Sequence, residues 1–489
     1  MNYSVILKTL SSVMWIMALA FSACAGVSAY FGGDALEPNA MSAWICAAAM
    51  SGMLAFALYV PSRKAQKKMF RKEAMCIIGL AWIMTSLVGA VPYVMILDCP
   101  AASAIFESTS GITTTGASVF SSYADFPKSL MFWRCLSHWI GGLGVVVFFV
   151  AILSFIGASG KILYANESST ETADFDSERV RSGVFGIVKL YAAISLCCFG
   201  ALKFFGMETF DAVCTAFSTV STGGFSTRET SFIGNENYGI YWTLIFFMFV
   251  GGTGFPLLIS LAKFKFRRLR ENTEFWTYVL IAATSVAIVW TTLAFGSGRP
   301  LFETFTLSVF EVVATITSTG FCADNYQTWI PAAQTTLFLL MIVGGCSGST
   351  AGGLKISRAV AAFRICRRDI EKSFRPRVVR NIFVNGKALG DDAAQDVLSY
   401  AALYAFVCIF GIVALMLLEP KLGSFSCISA VVATIGNMGP AFGELGCESN
   451  YGILNDFSKI LLSMIMIMGR LEISAFLVLF MPSLWKKFQ

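Results

Sequence analysis

Four short strings in this sequence carry the residue types that could replace the water around a cation. They read FESTSGITTTGASVF from Phe106, VCTAFSTVSTGGFST from Val213, FEVVATITSTGFCAD from Phe310 and SAVVATIGNMGPAFG from Ser429. Aligned on glycine, Gly116, Gly223, Gly320 and Gly439 share a column, preceded by Thr114-Thr115, Ser221-Thr222, Ser318-Thr319 and Asn437-Met438. An extended backbone that turns its carbonyls to one side can replace an ion's hydration shell. The backbone angles this requires are costly for a residue with a Cβ and free for glycine. Thr and Ser hydroxyls add ligands or brace the loop. A helix ending on such a stretch also aims its partial negative charge at the cation. One such string alone would mark close helix packing. Four at separations of 107, 97 and 119 residues make a repeat.

The elements that must hold these strings are membrane helices. Of the 489 residues, 56% are hydrophobic and only 13% charged, where a soluble domain carries roughly 25%. Apolar stretches of spanning length fall near 11–33, 41–60, 74–97, 131–156, 183–205, 239–262, 276–296, 332–356, 396–418 and 453–481. The expected fold is an all-α membrane protein of ten transmembrane helices. Between spans lie Ala102–Phe120, Thr209–Phe225, Phe302–Phe321 and Ser424–Pro440, too short and polar to cross, which read as re-entrant segments buried in protein or lining water. Two N-terminal spans (1–72) then precede four helix–pore-loop–helix repeats in pseudo-fourfold arrangement. The repeats cover 73–160, 161–270, 271–390 (with an intramembrane loop and a long cytoplasmic loop) and 391–489. With these spans, 27 of the 36 Lys and Arg fall on one side, including Lys64, Lys67 and Lys68. The positive-inside rule makes that side cytoplasmic, with both termini on it. The net charge of +6 is then a topology signal and calls for no nucleic acid; lipid contact is incidental.

Other chemistry is scarce. A single histidine, His138, excludes multi-histidine metal sites, and the 14 Cys show no CxxC spacing. His138, at the start of an inner helix, suits packing or hydrogen bonding better than proton relay. Spacing alone is compatible with a Cys427–Cys447 disulfide at the outer face. A membrane-embedded transferase would need clustered Asp or His near a membrane face, and Asp391-Asp392 is a lone pair in a cytoplasmic loop. A proton- or Na⁺-coupled symporter would need ionisable groups inside spans, and few exist beyond Glu107, Glu311, Arg470 and Glu472.

Two further features sit within spans. Gly344-Gly345-Cys346-Ser347-Gly348-Ser349-Thr350-Ala351-Gly352-Gly353 has five glycines in ten residues and should break its helix. It lacks the GK[ST] of a phosphate loop, and Gly348 and Gly352 could instead mark a tight helix crossing. Arg470 lies deep in the last span, where an unpaired cation normally faces a bundle interior or water. It is either a structural Arg paired with a distant carboxylate or a positive barrier to cations.

Taken together, TTTGAS at 113–118, STGGFST at 221–227, TSTGF at 317–321, GNMGP at 436–440, HWIGGLG at 138–144, GGCSGSTAGGLK at 344–355 and MGRLEI at 468–473 resemble the bacterial Trk-type potassium uptake transporters, TrkH/TrkG branch. The resemblance covers essentially the whole chain. It departs at Gly436-Asn437, where the family pattern has two Asn. It implies K⁺ as the transported ion, no organic cofactor on this chain, a homodimer with one pore per subunit, the bacterial inner membrane, and a cytosolic TrkA-like nucleotide-binding ring as partner. Glycine at all four columns resembles the potassium-selective members. Residues 344–353 resemble the family's gating loop below the filter, and Arg470 its pore arginine.

Overall fold

The computed structural model describes residues 1–63, 71–165, 177–296, 298–375, 382–384, 387–471 and 473–485. Lys64, Lys67, Lys68 and Glu472, invoked above, lie outside the described residues.

The chain opens on an antiparallel pair, Tyr3–Tyr30 and Glu37–Ser62. The buried face of the second helix is built from Ala40, Ala43, Ala47, Ser51 and Ala55, so the backbones approach closely. Ser11 Oγ donates to the Ala55 carbonyl (2.7 Å) and Ser51 Oγ to that of Met14 (2.8 Å). Hydroxyls thus replace a hydrophobic drive that lipid cannot supply. The pair docks through Glu37. Its buried carboxylate accepts the backbone N–H of Ser129 (2.9 Å) and the Ser129 hydroxyl (2.7 Å) at the start of the helix Lys128–Ala165. A carboxylate there meets otherwise unpaired amides and the positive end of a helix dipole. Trp44 Nε1 donates to the same hydroxyl (2.9 Å).

Four times thereafter a long helix leads into a short one and then into a third. The leading helices are Arg71–Leu97, Ser177–Phe204, Thr273–Gly296 and Asp391–Leu418. The short helices are Ala101–Ile112, Thr209–Val220, Leu301–Ile316 and Ser424–Ile435, each starting within one residue of an expected re-entrant segment. The third is Lys128–Ala165 in the first unit. In the second it is Tyr238–Gly251 and Phe255–Ala262, bent by 105°. In the third unit it is Pro331–Val343, and in the fourth Asp456–Arg470 followed by Ser474–Leu477.

Among the described residues seven helices are long and apolar enough to cross a bilayer, or up to nine if each bent pair is one span. The ten expected stretches therefore differ in kind. The stretch 332–356 is a 13-residue helix followed by a non-helical loop, because the glycines after Val343 break it. The first span starts at Tyr3, eight residues before the apolar run. The expected long cytoplasmic loop contains regular structure as well: Ile356–Phe374 is a helix, and Ile382–Val384 pairs antiparallel with Lys387–Leu389. Ile365 of that helix packs on Ile382 and Ala394, and the Arg358 guanidinium lies 4.0 Å from the Tyr400 ring centre.

Glu37→Ala should lower the unfolding free energy in detergent by about 2–3 kcal/mol, since it strands buried donors. Ser51→Ala, which leaves a backbone carbonyl still helix-bonded, should cost about 1 kcal/mol. Thermal unfolding of the two purified variants measures the difference, and equal losses would contradict the docking role of Glu37.

Candidate functional site

The four short helices end in the same way. Their last residues are followed by Thr113, Ser221, Thr317 and Gly436, and then by Thr114, Thr222, Ser318 and Asn437 in the left-handed region, at φ of 52°, 53°, 53° and 51°. The next amide in each case bonds five residues back: Thr115 to Ser110, Gly223 to Ser218, Thr319 to Ala314 and Met438 to Ala433, at 2.8–2.9 Å. This is the six-to-one bond of a Schellman termination, made here with non-glycine residues at a cost of roughly 1–2 kcal/mol each. Side chains offset that cost. Thr113 and Thr115 share a hydroxyl–hydroxyl bond of 2.7 Å, as do Thr317 and Thr319, and Asn437 Nδ2 donates to the Met466 carbonyl (2.9 Å) and Thr115 Oγ1 (3.2 Å).

These equivalences correct one register. The residue following the bonded amide is Gly116, Gly224, Gly320 and Gly439, so Gly224 and not Gly223 holds the glycine column of the second segment. Gly116, Gly224 and Gly320 share positive φ (82°, 86°, 75°), while Gly439 does not. Two adjacent glycines left this register open in the sequence. The shared geometry begins at the residue after each short helix, a hydroxyl in three of the four units, and aligning Thr113 with Ser221 and Thr317 would have found it.

The segments close on one another in cyclic order. A Cβ on Gly116 would lie 2.1 Å from the Gly223 carbonyl oxygen, and one on Gly224 would lie 2.0 Å from that of Thr319. A Cβ on Gly320 would meet Pro440 Cδ at 2.8 Å, and one on Gly439 the Gly116 oxygen at 2.5 Å. The outer loops interlock in the same order. Glu229 accepts from the Ser122 hydroxyl and Tyr123 amide, Phe232 N–H donates to the Cys322 carbonyl, Tyr326 hydroxyl to that of Ala441, and Tyr451 N–H to that of Ser118. A mouth lined by Gly116, Gly224, Gly320 and Gly439 opens between them.

Buried side chains brace the ring from behind. Glu107 binds Arg134 (2.8 Å) and accepts the Val119 amide (3.0 Å); at the equivalent place Glu311 accepts the Ala323 amide (2.6 Å). Both carboxylates thereby tie the strand beyond the glycine back to its own short helix. Phe225 is clamped between the Arg134 guanidinium, 4.2 Å from its ring centre, and the stacked His138 imidazole, also at 4.2 Å. His138 Nδ1 would be 2.0 Å from a Cβ on Gly223, which gives that glycine its own reason.

Under the ring lies the loop 344–353. Gly344, Gly348 and Gly353 have positive φ. Thr350 Oγ1 donates to the carbonyls of Val220 (3.2 Å) and Gly251 (3.0 Å), Gly352 N–H to Ser318 Oγ (2.6 Å), and a Cβ on Gly352 would sit 2.1 Å from the Gly436 oxygen. The loop therefore touches the ends of three short helices. It also completes the break after Gly251: Cys346 N–H donates to the Gly252 carbonyl (3.0 Å) and Phe255 N–H to that of Gly348 (2.9 Å). Ser347 N–H donates to Glu274 and Ala351 C=O accepts from Lys355. Gly345 and Ser349 pack against Ala351 inside the turn. Arg470 Nη1 donates to the Thr350 carbonyl (2.6 Å), while its Nε and Nη2, both buried, have no partner among the described residues.

One repeat escaped the sequence analysis. A Cβ on Gly141 would meet the Ile112 oxygen at 1.9 Å, on Gly251 that of Val220 at 3.2 Å, and on Gly469 that of Ile435 at 2.1 Å. The next residues are Gly142, Gly252 and Arg470. Arg470 thus stands where two other units carry glycine. The recurring GG pair, Gly141-Gly142, Gly251-Gly252 and Gly344-Gly345, was the available signal.

The Cys427–Cys447 disulfide that spacing allowed is not formed; all 14 cysteines are free. Cys427 is buried, and Cys447 turns instead toward the Asp324 carbonyl (3.8 Å).

Residues 37–487 match the family model TrkH, described as a cation transport protein. The chain belongs to the TrkH family. It is 32% identical over 437 residues to the Trk system potassium uptake protein TrkH of Halomonas elongata, covering 88% of this chain and 89% of that one. It is 32% identical over 432 residues to TrkG of Escherichia coli K12, covering 87% and 88%. The crystal structure of the potassium transporter TrkH from Vibrio parahaemolyticus superposes with a TM-score of 0.89 at 26% identity, over 99% of this chain and all of that one. Membership of the TrkH family makes this an all-helical, multi-pass membrane transport protein and not an enzyme.

The corrected register is testable. In a ⁸⁶Rb⁺ uptake assay, Gly223→Ala should lose at least tenfold and be partly restored by adding His138→Ala, because the obstruction is a side chain. Gly224→Ala faces backbone and should be lost with no such rescue. Rescue of both, or of neither, would return the second segment to the other alignment.

Proposed function

We propose that this chain takes up K⁺ through a pore on the axis of the four segments. The single observation that carries this is the closed ring of Gly116, Gly224, Gly320 and Gly439, whose backbones meet with no room for a Cβ. In this ring the backbone at Thr114–Gly116, Thr222–Gly224, Ser318–Gly320 and Asn437–Gly439 replaces the water of a K⁺ ion, and the short-helix C-termini stabilise it below. The names borne by the relatives from Halomonas elongata and Escherichia coli, both potassium uptake proteins, support K⁺ as the cargo.

Passage below the ring is controlled by two parts. Residues 344–353 obstruct the path while they hold Val220, Ser318 and Gly436, and they open by letting go. Arg470, buried with two donor nitrogens that have no partner among the described residues, supplies a positive charge that raises the barrier to a cation. Flux is passive in this mechanism. Glu107 and Glu311, two of the few carboxylates deep in the protein, are committed to backbone amides and so are poor proton carriers.

In this assignment ten segments cross the bilayer, two N-terminal ones and two in each of four repeats in pseudo-fourfold arrangement that begin at 73, 161, 271 and 391, and four re-entrant segments enter it. Both termini and the helix Ile356–Phe374 face the cytoplasm of a bacterial inner membrane. Two copies assemble as a homodimer in contact with membrane lipids. A TrkA-like nucleotide-binding ring docks on the cytoplasmic side and biases the loop, and no nucleic acid is involved.

Uptake of ⁸⁶Rb⁺ into liposomes holding the purified protein tests the cargo. K⁺ should compete at concentrations at which Na⁺ does not, and equal block by both ions would sink the selectivity. Arg470→Ala should raise uptake about tenfold, corresponding to a barrier of roughly 1.4 kcal/mol, a plausible size for one like charge at an effective dielectric of about 20. Unchanged uptake would make Arg470 a structural residue.

A further inference from the structure

Two thiols meet at the mouth above the ring. Cys322 lies two residues beyond Gly320, and Cys447 eight beyond Gly439, so they belong to the third and fourth units. Both line the same cavity together with Glu448 and Asn450. The Cys447 thiol points across the unit boundary to the Asp324 carbonyl (3.8 Å) and Asn325 Oδ1 (3.7 Å), and Asn325 reaches back to Glu448. Cys322 belongs to the buried apolar cluster against which Cys447 packs. Cys322 is anchored firmly: its N–H donates to Ser231 Oγ (3.2 Å), its carbonyl accepts from Phe232 N–H (2.9 Å), and its thiol lies 4.0 Å from the Gly320 carbonyl, one of the ring oxygens. Cys322 is buried, whereas Cys447 is half-buried and reachable from the cavity.

We propose that Cys322 and Cys447 form a redox-closed clasp across the outer mouth, a disulfide that joins the third and fourth segments just above the glycine ring. The inference rests on this mouth being on the non-cytoplasmic side, where disulfides form and persist. The oxidant is a protein or small-molecule disulfide working by thiol–disulfide exchange. The accessible Cys447 thiolate attacks one sulfur of the oxidant and expels the other as a thiolate. Cys322 then attacks the Cys447 sulfur of the mixed disulfide and expels the second thiolate. Two thiols of the protein thereby lose two protons and two electrons; the electrons go to the oxidant disulfide, and its two expelled thiolates take up the two protons and leave as two thiols. The closed form has no Cys322 S–H beside the Gly320 carbonyl and ties the outer ends of two segments together. Closing the clasp therefore changes the ring itself.

Thiol counting and uptake on the full-length protein test this. After treatment of the purified, folded protein with oxidised glutathione, denaturing alkylation should find two fewer thiols than after reduction, and non-reducing peptide mass spectrometry should find Cys322 joined to Cys447. Cys447→Ser and Cys322→Ser should each abolish the difference; two separate substitutions guard against one of them misfolding. Uptake of ⁸⁶Rb⁺ into liposomes should differ at least twofold between oxidised and reduced parent, and not at all in Cys447→Ser. An unchanged thiol count, a bridge between other cysteines, or a bridge without effect on uptake would each overturn the clasp. An impermeant maleimide on intact, reduced cells checks the side independently. Labelling of Cys447 only in inverted vesicles would overturn the assigned topology, whatever the purified protein does.

Discussion

Everything in this molecule is arranged around one steric fact: four backbone segments touch where a methyl group would not fit. Gly116 meets the carbonyl of Gly223, and Gly224 that of Thr319. Each segment is therefore a wall for its neighbour, and none can be positioned alone. That is why the outer loops interlock in the same cyclic order, and why Glu107 and Glu311 are spent on backbone amides rather than left titratable. In a low-dielectric interior a carboxylate with several donors is tolerable, whereas one without them is not.

A second ring lies one layer lower, where the third helix of a unit crosses the end of its own short helix. Glycine permits that crossing at Gly141, Gly251 and Gly469. The departure from symmetry is Arg470, which follows Gly469 where Gly142 and Gly252 follow their counterparts. One unit has thus exchanged a hydrogen atom for a guanidinium at the equivalent position, and the neighbouring unit has unwound its helix at Gly344. This charge and the unwound loop touch, through Arg470 and Thr350.

Much of this was legible in the sequence because it depends on local composition. Apolar length announced the spans, and each short helix starts within one residue of its expected re-entrant segment. The glycine-rich string 344–353 is indeed non-helical, and Arg470 is indeed buried. What stayed hidden depended on contacts between distant segments. The choice between Gly223 and Gly224 is decided by a hydrogen bond five residues back and by His138 behind the chain, and neither leaves a mark in a string of two glycines. The Cys427–Cys447 pairing failed for the same reason, since twenty residues of separation say nothing about which way a thiol turns. The amphipathic helix Ile356–Phe374 was hidden by its own charge density, its buried face reduced to Ile356, Ala361 and Ile365.

The break after Gly251 and the loop after Val343 complete each other's backbone: Cys346 and Phe255 donate across the gap to Gly252 and Gly348. Neither break has a lipid-compatible partner of its own. Any displacement of the loop would leave both sides short of donors and acceptors at once. In the gating mechanism proposed above only water could make up that deficit, so opening and hydration of the cavity would be one event. The bonds that join the two breaks are the ones that water would otherwise make.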